Sequence, residues 1–139
     1  MKFQVVYVPI GVGTYEMVTA HEQFDKSISL LKSVYEDVLV PNDILLTVDA
    51  VAEYLSDKDP DLVILQNITF ANAAYASEVL RRFSCPLLLW PLREPVIDGG
   101  RLRSNSLTGA YSAANAICAF RGAGNFEHVY GAADEDAVK

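Results

Sequence analysis

Between Cys85 and Gly109 the chain gathers side chains that an apolar core has no use for: Arg93, Glu94, Asp98, Arg101, Arg103, Ser104, Asn105, Ser106 and Thr108. Glu94, set between Arg93 and Pro95, is the best candidate for a general acid or base. The opposing reading makes it an ion-pair partner of Arg101 or Arg103. Asn105, Ser106 and Thr108 stand where a helical pattern begins. They serve there either as caps or, with the free N–H groups of a first turn, as ligands for a polyol or phosphate. Trp90, the only tryptophan, precedes them. It either closes the core or offers a flat apolar face to a sugar ring.

The elements that must position this stretch follow from periodicity. Pro86 to Trp90 is a short, continuous apolar run, the pattern of a strand buried on both faces. Phe3 to Val8 reads as a first strand ended by Pro9 and Gly11. Asp37 to Val40 is a weak second strand stopped by Pro41, Asn42 and Asp43. Asp61 to Gln66 is the clearest buried strand, with Asn67 to Asn72 as its outgoing loop. Phe126 to Tyr130 is the last. Between them, Thr19 and Glu22 suggest a capping box ahead of a helix carrying Phe24, Ile28, Leu31 and Tyr35 inward. A second helix starts near Thr47, and a third carries Tyr75, Val79 and Phe83. A fourth runs from about Ser106 to Arg121, with Leu107, Ala110, Tyr111, Ala114, Ile117 and Cys118 on its inner face and Gly122 as its stop.

Strands that alternate with helices in this way demand parallel pairing and right-handed crossovers. The expectation is an α/β fold: a three-layer α/β/α sandwich around a five-stranded, flavodoxin-like parallel sheet in the order 2-1-3-4-5. Residues 1–131 form this domain, and 132–139 an acidic, solvated tail or linker. In such a sheet, ligands sit at the carboxyl ends of the strands. Gly11 to Tyr15, Asn67 to Asn72 and Pro91 to Asn105 therefore converge on one rim.

Several classes of function are excluded. A formal charge of −7, from 18 acidic and 11 basic residues, argues against nucleic acid or an anionic membrane as partner. No signal-peptide core or membrane-length apolar run is present, which makes the cytoplasm the default location. Cys85 and Cys118 lack zinc or disulfide spacing and read as buried free thiols. His21 and His128 read as surface or edge residues. Gly11–Val12–Gly13 lacks the third glycine of a dinucleotide fingerprint, and reads as a tight turn needing positive φ. A phosphoacceptor receiver is excluded, because the first strand ends in Val8–Pro9 and the third in Gln66–Asn67.

A family resemblance spans about Gly11 to Gly131. It rests on Gly13 to Glu16 leading into a helix with Phe24 and Leu30–Leu31, on Pro60 to Phe70, on Pro86 to Pro95, and on Gly100 to Asn115. The Trp-x-x-x-Glu-Pro and Arg-Leu-Arg-Ser-Asn-Ser-Leu-x-Gly segments are its most specific parts. In this order they resemble the N-terminal domain of the L-fucose isomerase and L-arabinose isomerase superfamily. The resemblance implies an oligomeric aldose–ketose isomerase of several hundred residues in three domains. Its divalent metal, typically Mn2+, is held by later domains, so this domain binds no metal and carries no catalytic residue of its own beyond the weak candidate Glu94. The N-terminal domain completes the monosaccharide pocket of a neighbouring subunit. By the same resemblance Thr14, Phe70, Trp90, Glu94, Asn105, Ser106 and Thr108 face the substrate. Some relatives carry a histidine near Thr108, where this chain has threonine. Two other readings stand beside it: a free-standing flavodoxin-like module that binds a small sugar or anion without catalysis, and a purely structural oligomerisation domain.

Overall fold

A computed structural model describes residues 2–139. Its centre is β1 (Val5–Ile10), β2 (Leu62–Asn67) and β3 (Leu87–Pro91), almost wholly buried and paired in parallel. The short β4 (Glu127–His128) pairs with β3, giving a four-stranded sheet in the order β1-β2-β3-β4. The described residues also form four helices: α1 (Met17–Val34), α2 (Val48–Leu55), α3 (Ala73–Arg82) and α4 (Ser106–Arg121).

The α/β class is as expected, but the sheet has four strands rather than five. The segment expected as the second strand, Asp37 to Val40, makes only one isolated parallel bridge to β1, Leu39 with Val6; a second bridge, Leu45 with Ile10, lies beyond the turn that ends it. Proline explains the interruption. The N–H of Tyr7 bonds the Leu39 carbonyl at 2.9 Å, and that of Gly11 bonds the Leu45 carbonyl at 3.3 Å. Pro9, midway between them on the same edge, has no N–H to offer. The partner segment leaves the edge there, through Pro41–Asn42–Asp43.

Strand alternation sends side chains to two cores. Val6, Val8, Val63, Leu65, Leu87 and Leu89 pack with α2, α3 and α4. Val5, Tyr7, Ile64 and Trp90 pack with Phe24 and Leu31 of α1. Burying these side chains contributes roughly 1.5–3 kcal/mol each. On the α1 side, Tyr7 donates to the Gln66 side-chain carbonyl, whose amide donates to Ser27 Oγ at 3.1 Å; all three residues are fully buried. Burial pushes the Tyr7 phenol well above its usual range.

Helix starts show where local patterns held. Thr47 caps α2 through Ala50 N–H at 3.0 Å, as expected. The capping box at Thr19 and Glu22 is not used. Instead Glu16 caps α1 and accepts from the N–H groups of Val18 and Thr19. Those bonds hold its carboxyl below the ordinary range. The bounds of α4 fall where the pattern put them, but its buried face is Ser106, Gly109, Ala110, Ala113, Ala116 and Ile117. Leu107, Tyr111 and Cys118, assigned inward, are exposed. Close approach explains the rotation: a Cβ on Gly109 would meet Asn67 Nδ2 at 2.6 Å and the Ala71 nitrogen at 3.1 Å. Small residues face the sheet, and Leu107 and Tyr111 turn outward.

Residues 132–139 are less free than a solvated tail would be. Ala133 is buried against the α1 side, and Glu135 pairs with Arg93 at 2.8 Å.

Candidate functional site

The connection from β3 to α4, Leu92 to Asn105, begins with a fastened stretch. The buried Leu92 N–H donates to Ser106 Oγ at 2.8 Å, and the Ser106 hydroxyl donates to the Asn67 carbonyl at 2.5 Å. One hydroxyl thus joins the exits of β2 and β3 to the start of α4. Glu94 completes the fastening from within the loop. Its Oε1 accepts from the N–H groups of Arg103 (2.7 Å) and Ser104 (3.1 Å). Its Oε2 accepts from the Ser104 hydroxyl (3.2 Å) and the Asn105 N–H (2.9 Å). A carboxylate has about four acceptor positions, and all are filled by the loop it closes. The alternatives of acid/base group and ion pair with Arg101 or Arg103 both give way to a backbone clasp.

Asn105 takes the left-handed conformation, φ 52° and ψ 36°, and makes no side-chain cap for α4. Asparagine tolerates that region better than most residues. Its side-chain amide instead donates to the Tyr15 hydroxyl at 3.3 Å.

The three loops do meet at one rim. Val12 N–H donates to Thr69 Oγ1 at 2.9 Å, Phe70 N–H to the Ser104 carbonyl at 2.7 Å, and Glu16 N–H to the Arg103 carbonyl at 3.1 Å. Gly11 serves this junction by size: a Cβ there would meet Thr69 Oγ1 at 2.7 Å. The positive-φ turn expected at Gly11–Val12–Gly13 is absent, since neither glycine has positive φ.

The residues assigned to the rim divide sharply. Thr14 and Thr108 are exposed, and Phe70 and Asn105 are half-buried beside them. Ser106 is 1% exposed and Trp90 2%. The indole N–H donates to the Gly131 carbonyl at 2.9 Å, so Trp90 closes the α1-side core and presents no face to a sugar. Its parity in β3 decides this, since Leu88 and Trp90 point to the same side as Ile64.

The loops expected to converge also form a groove on the rim. Thr14, Tyr15, Glu16, Arg101, Leu102 and Arg103 line an open groove of about 320 Å³. Arg101 lies 5.1 Å over the Tyr15 ring and donates to the Thr14 carbonyl at 3.2 Å. The available signal was two closely spaced cations, Arg101 and Arg103, in a chain of net charge −7.

Other candidates are structural. His21 bridges the Met17 carbonyl (2.8 Å) and Asp43 (3.0 Å), and these contacts raise its pKa from 6.5. Cys85 is half-buried, which pushes its thiol up. Among the described residues, no three His, Cys, Asp or Glu side chains are placed to hold a metal ion. No helix among them is long and apolar enough to cross a membrane.

No protein-family model matches the chain. Known proteins are more informative. A sulfoquinovose isomerase of Clostridium sp. (strain MSTE9) is 56% identical over 137 residues, which cover 99% of this chain and 30% of that protein. The chain is similar, over nearly its whole length, to part of a sugar isomerase. Proteins with the same name from Priestia megaterium (strain ATCC 12872 / QMB1551) and Alkalicoccus urumqiensis are 35% and 30% identical, each over 97% of the chain. The chain spans about 30% of the length of the curated relatives it matches.

Proposed function

We propose that this chain is the N-terminal domain of an aldose–ketose isomerase that acts on sulfoquinovose, a glucose whose C6 carries a sulfonate in place of the hydroxyl. The observation that carries the reading is the 56% identity across 99% of the chain to a protein of that name. The resemblance to fucose and arabinose isomerases supplies the reaction: a proton moves between C2 and C1 through an enediol. In this reading the divalent metal, Mn2+ in the resembling family, and the proton-moving carboxylates lie outside this chain. Among the described residues no cluster fits a metal, so no metal-dependent step is derived from them.

This domain's part is to shape and position. Thr14, Phe70, Asn105 and Thr108 face the substrate from the rim of the sheet, in the pocket of a neighbouring subunit of a homo-oligomer. Glu94 and Ser106 hold that rim in one conformation, and Trp90 anchors the strand beneath it. Such fixed positioning lowers the entropic cost of orienting a substrate. The cytoplasm remains the proposed location.

The test is direct. The longer polypeptide that carries this domain is incubated with sulfoquinovose in D2O and followed by NMR. Formation of the corresponding ketose, with deuterium entering at the carbon that accepts the proton, supports the reading. Unchanged sulfoquinovose in the presence of Mn2+ removes it.

A further inference from the structure

We propose that Arg101 and Arg103 form the anchor for the sulfonate of the substrate, an inference that rests on the isomerase reading above. Both residues line the groove shared with Thr14, Tyr15, Glu16 and Leu102. The other arginines are occupied. Arg81 and Arg82 pair with Glu78 at 3.1 and 2.9 Å, Arg93 pairs with Glu135 at 2.8 Å, and Arg121 donates to the carbonyls of Cys85 and Phe83. Arg101 and Arg103 have no carboxylate within ion-pair distance among the described residues. In a chain of net charge −7, two unpaired cations on the ligand-facing rim are the exception.

Their placement is fixed rather than incidental. The Arg103 backbone is held from both sides, its N–H by Glu94 at 2.7 Å and its carbonyl by Glu16 N–H at 3.1 Å. Arg101 is held by the Tyr15 ring and the Thr14 carbonyl while keeping further N–H groups free. Glu16, the carboxylate on the same groove, turns both oxygens into the first turn of α1, where the positive end of the helix dipole stabilises its charge, and it feels the charge of Arg103 without lying within ion-pair distance. A sulfonate is a permanent anion with three acceptor oxygens at tetrahedral spacing. It suits two guanidinium forks better than it suits a point-charge ammonium. The groove therefore distinguishes a 6-sulfonated hexose from its neutral counterpart by charge, at the end of the sugar away from the reacting carbons.

The experiment uses the longer polypeptide that carries this domain, 15N-labelled at arginine and tyrosine, with sulfoquinovose and separately with 6-deoxy-D-glucose, which has a hydrogen on C6 where the sulfonate would be. The expected result is a shift of the Arg101 and Arg103 Nε–Hε signals and the Tyr15 amide with sulfoquinovose only. In the Arg101→Gln/Arg103→Gln variant binding weakens about ten-fold or more, while Arg93→Gln binds as the wild type does. Equal shifts with both sugars, no shift with sulfoquinovose, or full binding by the double variant would overturn the anchor. Sulfonate-dependent shifts without ketose formation in the isomerase assay keep the anchor and remove the isomerase. Ketose formation with silent arginine signals does the reverse.

Discussion

The loop from β3 to α4 has two halves of opposite character. Its ends, Leu92 to Glu94 and Arg103 to Asn105, are tied by hydrogen bonds to β2, α4 and the β1–α1 loop. Its outer arc, Pro95 to Leu102, is exposed throughout, and its one backbone amide bond to a side chain is local, from Gly100 to Asp98. The residues that look most chemical in the sequence, Glu94 and Ser106, are in the tied part and do structural work. The exposed arginines without an ion-pair partner among the described residues, Arg101 and Arg103, stand where the two parts join. Polar residue type at the carboxyl end of a strand thus marks a rim, and hydrogen-bond saturation decides which of its members remain available.

Substitutions can break that contrast at several strengths. The largest effect is expected under the loop: Trp90→Ala removes a fully packed side chain and should cost about 3–5 kcal/mol in urea denaturation. Glu94→Gln replaces two acceptor oxygens by one and puts an N–H against backbone N–H groups. We expect a loss of about 2 kcal/mol, together with loss of the amide protection of Arg103, Ser104 and Asn105. Ser106→Ala leaves the Leu92 N–H and the Asn67 carbonyl without their shared partner in the interior. It should cost about 1–2 kcal/mol by the same assay. On the arc, Ile97→Ser alters an 80% exposed residue and should leave stability within about 0.5 kcal/mol of wild type.

The smallest effect concerns pH. His21 has its pKa raised above 6.5 in the folded chain, first by the Met17 carbonyl and then by Asp43. A raised value means that the folded state binds the proton more tightly. The contribution is full below about pH 6.5 and fades as pH rises through the elevated folded value. His21→Gln should therefore lower Tm more at pH 5.5 than at pH 8.5, and an equal shift at both would remove the linkage.

Much of this was legible in the sequence, for reasons that differ by element. The α4 limits at Ser106 and Gly122, the Thr47 cap and the buried character of β2 follow from local pattern, and local pattern survived folding. The phase of α4 did not, because Gly109, Ala110 and Ala113 carry little hydrophobic signal, and close packing against Asn67 and Ala71 selected size over hydrophobicity. The broken edge beside β1 depended on the missing donor at Pro9, felt by a partner some thirty residues away in the bridge from Leu39 to Val6. In the sequence Glu94 reads as chemistry because its partners lie 9 to 11 residues on, beyond any local capping rule. The orientation of Trp90 required the register of β3 against β2, which periodicity alone does not supply.

The most direct test of the two-part loop is amide hydrogen exchange resolved by residue from Leu92 to Asn105. The account predicts slow exchange at Leu92, Arg103, Ser104 and Asn105 and fast exchange at Val96, Ile97, Asp98 and Gly99, with the slow group except Leu92 becoming fast in Glu94→Gln. Uniformly fast exchange across the loop, or protection that survives Glu94→Gln, would contradict it.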